Sequence, residues 1–229
     1  MPVTVLIGAQ WGDEGKGRFV DWLSSQADVV ARYAGGDNAG HTVSVEGEVY
    51  KMHLIPSGVL HAGVMAVLGN GMVINPVNLV TEMTRLREQG VEITPKNLVI
   101  SSRAHIITPG HIELDRAKEI ARGEKAIGTT LRGIGPAYLD KTGRKGIRIG
   151  QMLDIEGFAE AMAASTSATN AILARDGIET VDFKAHVQQY IDAAHELRPF
   201  IKDTTVYLNQ RLKAGARILC EGAQGTLLD

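Results

Sequence analysis

The chain of 229 residues contains one cysteine, Cys220, so no disulfide can form within it. That excludes a disulfide-stapled domain, and a reducing, cytoplasmic setting is the expectation. Aromatic residues are only 5% of the sequence, and 24 Lys and Arg are balanced by 26 Asp and Glu. Domains that grip nucleic acid carry a basic excess, so no nucleic-acid partner is expected. No apolar run approaches the ~20 residues that cross a bilayer, so no membrane partner is expected. The first residues, from Met1 to Val5, read as a strand, with no charged leader. There is no Ser-His-Asp arrangement and no zinc spacing. His61, His105, His186 and His195 read as structural or exposed residues, and His111 as a helix cap or a solvent-facing group. His53 is ambiguous. Cys220 lies in an apolar run and is expected to be a buried, inert thiol.

What the sequence has in quantity is glycine, 26 residues. The first cluster runs Gly8-Ala9-Gln10-Trp11-Gly12-Asp13-Glu14-Gly15-Lys16-Gly17, between a strand-like Val3 to Ile7 and a helix-like Arg18 to Ser25. A strand, a glycine turn and a helix start make a phosphate cradle, because backbone N–H groups and the helix N-terminus both favour an anion. It is not an ordinary Walker loop. Lys16 follows Gly15 as that pattern asks, but Gln10 stands where its first glycine would be, and Gly17 has no hydroxyl for a metal. Asp13 is then a candidate metal ligand or base. The competing reading is a tight turn with a solvated acid and lysine.

A second cluster, Gly35-Gly36-Asp37-Asn38-Ala39-Gly40-His41-Thr42, follows a strand-like Val29 to Tyr33. It suits a loop wrapping a polar ligand, with His41 as acid or oxyanion stabiliser. Taken alone, such a run is more often a hairpin-type turn. The third, Gly128 to Tyr138, reads as a loop rich in Gly and Thr, with Thr130 able to bond a phosphate. Lys141, Arg144, Lys145 and Arg148 follow as a basic group that is either an anion trap or a solvated face. A fourth glycine loop, Gly222 to Thr226, follows a buried-strand pattern from Ala216 to Glu221.

Helices are expected from Val77 to Gln89, Ile112 to Arg122, Asp154 to about Arg175, Asp182 to Leu197 and Thr205 to Lys213, with a strand at Leu98 to Ser101. Strands alternating with helices imply an α/β fold with a mostly parallel central sheet flanked by helices, P-loop-like in character. Residues 1–150 would form the sheet core with its loops, 151–215 a mostly helical lobe, and 216–229 a return to the sheet. The chain stops soon after that return, which reads as an interrupted, incomplete catalytic domain.

Several runs, in this order, resemble the adenylosuccinate synthetase family: Gln10 to Gly17, Asn38 to Thr42, His53-Leu54-Ile55-Pro56-Ser57-Gly58, Ala126 to Thr130, Arg132 to Tyr138, and Glu221 to Asp229. The resemblance implies GTP-dependent ligation of L-aspartate to IMP through 6-phosphoryl-IMP, giving adenylosuccinate, GDP and phosphate, with Mg2+. It makes Asp13 the base that removes the N1 proton of IMP and His41 the acid that assists phosphoryl transfer. Asp13 and the Gly40 carbonyl would be the metal ligands. Phosphate and GTP contacts would come from Gly12, Asp13, Glu14, Gly15, Lys16, Gly17, Arg18, Gly40, His41 and Thr42. IMP contacts would come from Asp13, Glu14, Gly15, Lys16, Asn38, Ala39, Gly40, His41, Thr130 and Gln224, with Arg144 reaching across a homodimer. Thr42 to His53 corresponds to a mobile loop that closes on GTP. Two features depart from the pattern: Arg18 stands where many relatives have Lys, and Asp37 beside the IMP loop would repel a phosphate. Family members continue past Asp229, where the guanine pocket, the aspartate-binding loop and further IMP contacts lie. A truncated form of the enzyme is therefore expected. The alternatives are an IMP-binding or dimerising fragment, or an unrelated P-loop-like kinase or GTPase.

Overall fold

The structure, a computed structural model, describes residues 3–12, 14–45 and 47–228, and the backbone alone at residues 41, 45 and 228. Its centre is a parallel sheet of β1 (Val3–Gly8), β2 (Val29–Gly35), β5 (Met65–Ile74), β6 (Leu98–Ser101), β8 (Ile201–Lys202) and β9 (Ile218–Gly225), in the order β1-β9-β2-β5-β6-β8. The short β7 (His105–Ile106) pairs with the far end of β5. Outside this sheet, β3 (His41–Val45) and β4 (Glu48–Met52) form an antiparallel hairpin. The last strand inserts between β1 and β2, its Glu221 in register with Leu6 on one side and Arg32 on the other.

Helices cover both faces, which is why the strands read as near-continuous apolar runs. On one face Val30 and Leu219 pack with Val20 of α1 (Lys16–Ser24). Further along, Leu68, Leu98 and Ile100 meet α2 (Pro76–Glu88), α5 (Ile155–Arg175) and α6 (Phe183–Leu197) through Leu79, Met83, Phe158, Met162 and Leu197. On the other face Val29, Ala31, Val67 and Val99 meet Tyr207, Leu208 and Leu212 of α7 (Thr204–Lys213). Helix starts follow the sequence closely. Asn75, Asp154, Asp182 and Asp203 each accept backbone N–H groups of the first turn, satisfying donors the helix leaves free.

Several expectations need correction. The helix α3 (Pro109–Arg122) starts three residues before Ile112, because Thr108 and His111 close a capping box. Two histidine expectations hold: His111 caps and is buried, and His105, buried too, is structural rather than exposed. The third glycine cluster is only half a loop: Ile134 already opens α4 (Ile134–Thr142). Gly133, at φ 74, makes that entry, and a Cβ there would meet the backbone of His111 at 2.8 Å. The fourth cluster is strand through Gly225, not loop. The expected mobile loop, Thr42 to His53, runs mostly through the β3–β4 hairpin, which leaves its mobility an expectation. Cys220 is half-buried, since its neighbours Val5 and Ile7 on β1 are exposed on the same sheet face. Within 151–215, β8 joins the sheet as its edge strand.

Candidate active site

The carboxyl ends of β1, β9 and β2 open onto a cleft of about 670 Å³. Open parallel sheets place ligands at this edge. Its walls are Trp11, Gly12 and Glu14 to Arg18 from the first loop, Asn38, Ala39, Gly40 and Thr42 from the second, and Glu221 to Gln224 from β9. Three runs, the first and last of them about 200 residues apart in sequence, thus face one space because β9 lies between β1 and β2.

The first loop is built to accept an anion, and an internal carboxylate occupies it. Glu14 accepts from the backbone N–H of Gln10 at 3.0 Å and of Gly12 at 3.3 Å, and from Lys16 Nζ at 2.6 Å. The Lys16 hydrogen bond, helped by those N–H groups against some desolvation, holds the Glu14 carboxyl down to about 2. Gly8 is required beneath this arrangement: a Cβ there would sit 2.7 Å from both Gln224 O and Lys16 Nζ. The end of the described chain braces the same loop. Thr226 Oγ1 donates to Gly8 O at 2.6 Å, and Leu227 N–H to Gln10 O at 3.0 Å.

Two expected IMP contacts meet directly, Gln224 Nε2 donating to Asn38 Oδ1 at 3.4 Å. Gln224 sits at φ 60, a conformation that costs a non-glycine residue about 1 kcal/mol or more. Among the described residues, the other non-glycine residues with positive φ are Leu131, next to Thr130, and Arg144. All three lie in or beside runs singled out for ligand contact.

The loop into Asn38 is held from several sides. Tyr138 on α4 accepts from Gly35 N–H at 2.8 Å and donates to Gly71 O at 3.0 Å. Asp37 was expected to repel a phosphate, but it is turned inward. It is 2% exposed, its carboxylate accepts from Asn78 Nδ2, and its carbonyl accepts from Arg132 Nη1.

Thr130 and Arg144 do not line this cleft. Thr130 is exposed on a loop tied to α3: Asp115 accepts from Thr129 Oγ1 and Gly133 N–H, and Glu119 from Gly128 and Thr129 N–H. Arg144 projects from the turn after α4, exposed. Lys141, just before it, donates to Asn70 O at 2.9 Å and lies 3.4 Å from His105 Nδ1. Asp13 lies outside the described residues. The His41 backbone pairs with Met52 at the start of the hairpin, and its side chain lies outside the description.

Three residues that the sequence reading passed over belong here. Arg32 and Glu221 line the cleft, buried, on paired positions of β2 and β9. Burial raises the Glu221 carboxyl, and the Arg32 charge partly offsets this. Glu82 of α2 is buried nearby and caps three backbone N–H groups. A single charge closing an apolar strand, as in Val29-Val30-Ala31-Arg32 and Ile218-Leu219-Cys220-Glu221, was the available signal.

A helix-covered parallel sheet with a glycine loop that accepts a carboxylate and two converging loops at its carboxyl edge defines the class: an α/β protein with a cleft at the carboxyl edge of its sheet. Within that class the match is specific. The adenylosuccinate synthetase family model covers residues 5–229, and the chain belongs to that family. It is 48% identical over 230 residues to the adenylosuccinate synthetase of Streptococcus sanguinis (strain SK36) and 47% identical to that of Thermoanaerobacter sp. (strain X514). All of this chain is matched, against 53% and 54% of those relatives, so it spans about half their length. Among solved structures, a fully ligated adenylosuccinate synthetase from Plasmodium falciparum superposes with a TM-score of 0.89 at 36% identity, over 99% of this chain and 52% of that one. The cyanophage S-2L succinoaminodeoxyadenylate synthetase, at TM-score 0.59 and 22% identity over 97% of this chain and 51% of that one, shares the fold. No helix among the described residues is long and apolar enough to cross a membrane.

Proposed function

We propose that this chain supplies the phosphate-binding and IMP-binding part of a GTP-dependent ligase that joins L-aspartate to IMP, giving adenylosuccinate, GDP and phosphate. One observation carries the reading: the cleft that gathers Gly12, Glu14 to Arg18, Asn38 to Gly40, Thr42 and Gln224 around one space. Asn38 and Gln224 hold the purine of IMP. Asp13 takes the N1 proton, which makes O6 a nucleophile toward the γ-phosphorus of GTP. As the bond to GDP breaks, Lys16 and the N–H groups of the first loop meet the charge on the transferring group, and His41 stabilises it from the second loop. The phosphorylated O6 is then a good leaving group, and the aspartate amine displaces phosphate at C6.

Mg2+ fits this donor set. Gly40 lines the cleft, and its backbone carbonyl is a hard oxygen donor of the kind the ion takes beside a carboxylate and substrate phosphates. Asp13 and Gly40 would hold it, and when bound it neutralises phosphate charge. The exposed turn bearing Arg144 is the part of the surface we assign to a homodimer, with Arg144 reaching the IMP of the other subunit. Thr130 is assigned to IMP as well, approaching from the α3–α4 loop. The contacts for guanine and aspartate belong to the length of the relatives that these residues do not match. A second reading, an IMP-binding part that turns over only together with that further sequence, is favoured by the half-length match.

The test is a spectrophotometric assay with IMP, GTP, aspartate and Mg2+. Adenylosuccinate formation that vanishes in Asp13→Ala and His41→Asn supports ligation by this chain. Saturable IMP binding without turnover supports the second reading. GTP hydrolysis indifferent to IMP refutes both.

A further inference from the structure

Two buried charges beside the cleft are spent on one short piece of backbone. Arg32, 1% exposed, donates through Nη1 to the carbonyls of His53 and Leu54 and through Nη2 to Gly36 O at 3.0 Å. Glu82, 5% exposed, receives His53 N–H at 2.9 Å and Ile55 N–H at 3.3 Å on Oε1, and Leu54 N–H at 2.9 Å on Oε2. So His53 to Ile55 is gripped from β2 by its carbonyls and from α2 by its N–H groups.

The placement matters. Gly36 and His53 are the two ends of the excursion that contains Asn38, Gly40, His41 and the β3–β4 hairpin. One guanidinium, rigid and planar, bonds both ends and so fixes their separation. Lys, a single flexible point charge, cannot serve two directions in this way. Neither Arg32 nor Glu82 makes an ion pair among the described residues. Burying each charge costs several kcal/mol of hydration that apolar residues would not forfeit. What the charges provide in return is direction: hydrogen bonds to named carbonyl and amide groups. Arg32 also lines the cleft, so the grip sits directly beneath the loop whose reach it sets.

We propose that Arg32 and Glu82 are positioning residues, a two-sided grip that holds both ends of residues 36–53 and thereby sets how Asn38 to Thr42 stand in the cleft. The structural part is independent of the reaction; its effect on IMP rests on the reading under Proposed function.

Hydrogen exchange by mass spectrometry, with IMP titration beside it, tests this. In the unmodified protein the amides of His53, Leu54 and Ile55 should exchange as slowly as those of β5. Exchange as fast as at the exposed hairpin tip near Gly47 would overturn the grip, even if no variant folds. In Arg32→Lys and Glu82→Gln, exchange across 37–52 should speed up by about tenfold or more while β5 and β6 keep their rates. A uniform rise across β5, β6 and the hairpin would show general destabilisation and refute the proposal. IMP affinity should fall about tenfold in both variants, whereas pyrophosphate, held by the first loop, should bind as before. Unchanged IMP affinity alongside loosened exchange would refute the positioning role. Absence of IMP binding in the unmodified protein would count against the functional reading alone, with the exchange data still deciding the grip.

Discussion

Tyr138→Phe isolates the link between the third sequence cluster and the second. The substitution removes one oxygen and leaves the ring, so it opens no cavity. The lost hydroxyl accepts from Gly35 N–H at 2.8 Å and donates to Gly71 O at 3.0 Å. Gly35 is buried, so its N–H is left without a partner, whereas Gly71 is partly exposed and its carbonyl regains water. An orphaned buried donor costs roughly 1–3 kcal/mol, so the expected loss is about 2 kcal/mol. At about 2–4 °C per kcal/mol for a chain of this size, that is a drop of about 4–8 °C in Tm. Urea unfolding followed by far-UV circular dichroism measures it, with the slope m unchanged if only the native state is affected. Because Gly35 leads into Asn38, IMP binding should weaken in the same variant. A loss below about 0.5 kcal/mol would place the change with ordinary surface substitutions and refute the idea that this hydroxyl anchors the loop.

Other expectations follow from the same geometry. Asp115→Ala strips the partner from the buried Gly133 N–H and from Thr129 Oγ1, so it should cost about 2 kcal/mol by urea unfolding and loosen the Thr130 loop in hydrogen exchange. Glu14→Ala frees Lys16 and the N–H groups of Gln10 and Gly12 from an internal carboxylate. Calorimetric titration should then show tighter pyrophosphate binding, and weaker binding would mean that Glu14 supports the bound anion. Burial, reinforced by the Lys141 and Arg148 charges, lowers His105 from 6.5 to about 4. Between those values the unfolded chain binds a proton that the folded one refuses, so this contribution to stability is present above pH about 6.5 and lost as pH falls toward 4. Thermal unfolding from pH 7 to 4 should show a shallower decline in His105→Gln than in the parent protein.

Much of this was legible from local chemistry. Asn75-Pro76, Asp154 and Asp182 announced their helices because caps act within one turn. The first, second and fourth glycine runs line the cleft, whereas the third does not. What escaped depended on distant partners. The two residues of β8 are strand only because β6 lies beside them. Gly222 to Gly225 are strand only because β1 offers a register, with Gly8 opposite Gly225. Asp37 looked like a charge facing ligand until Asn78, from α2, turned it inward. Beyond the lone charge in an apolar strand, Arg32 gave no motif, and Glu82 gave none, since the partners of both are backbone groups, where side-chain identity leaves no trace.

The central claim is that the three converging runs form one IMP site, and IMP titration by calorimetry at fixed salt tests it most directly. Saturable binding should be present in the parent protein and in Arg103→Ala, whose partner Asp203 stands away from the cleft. It should weaken by about tenfold or more in both Asn38→Ala and Gln224→Ala. Equal affinity in all four proteins, or no saturable binding to any of them, would contradict the account.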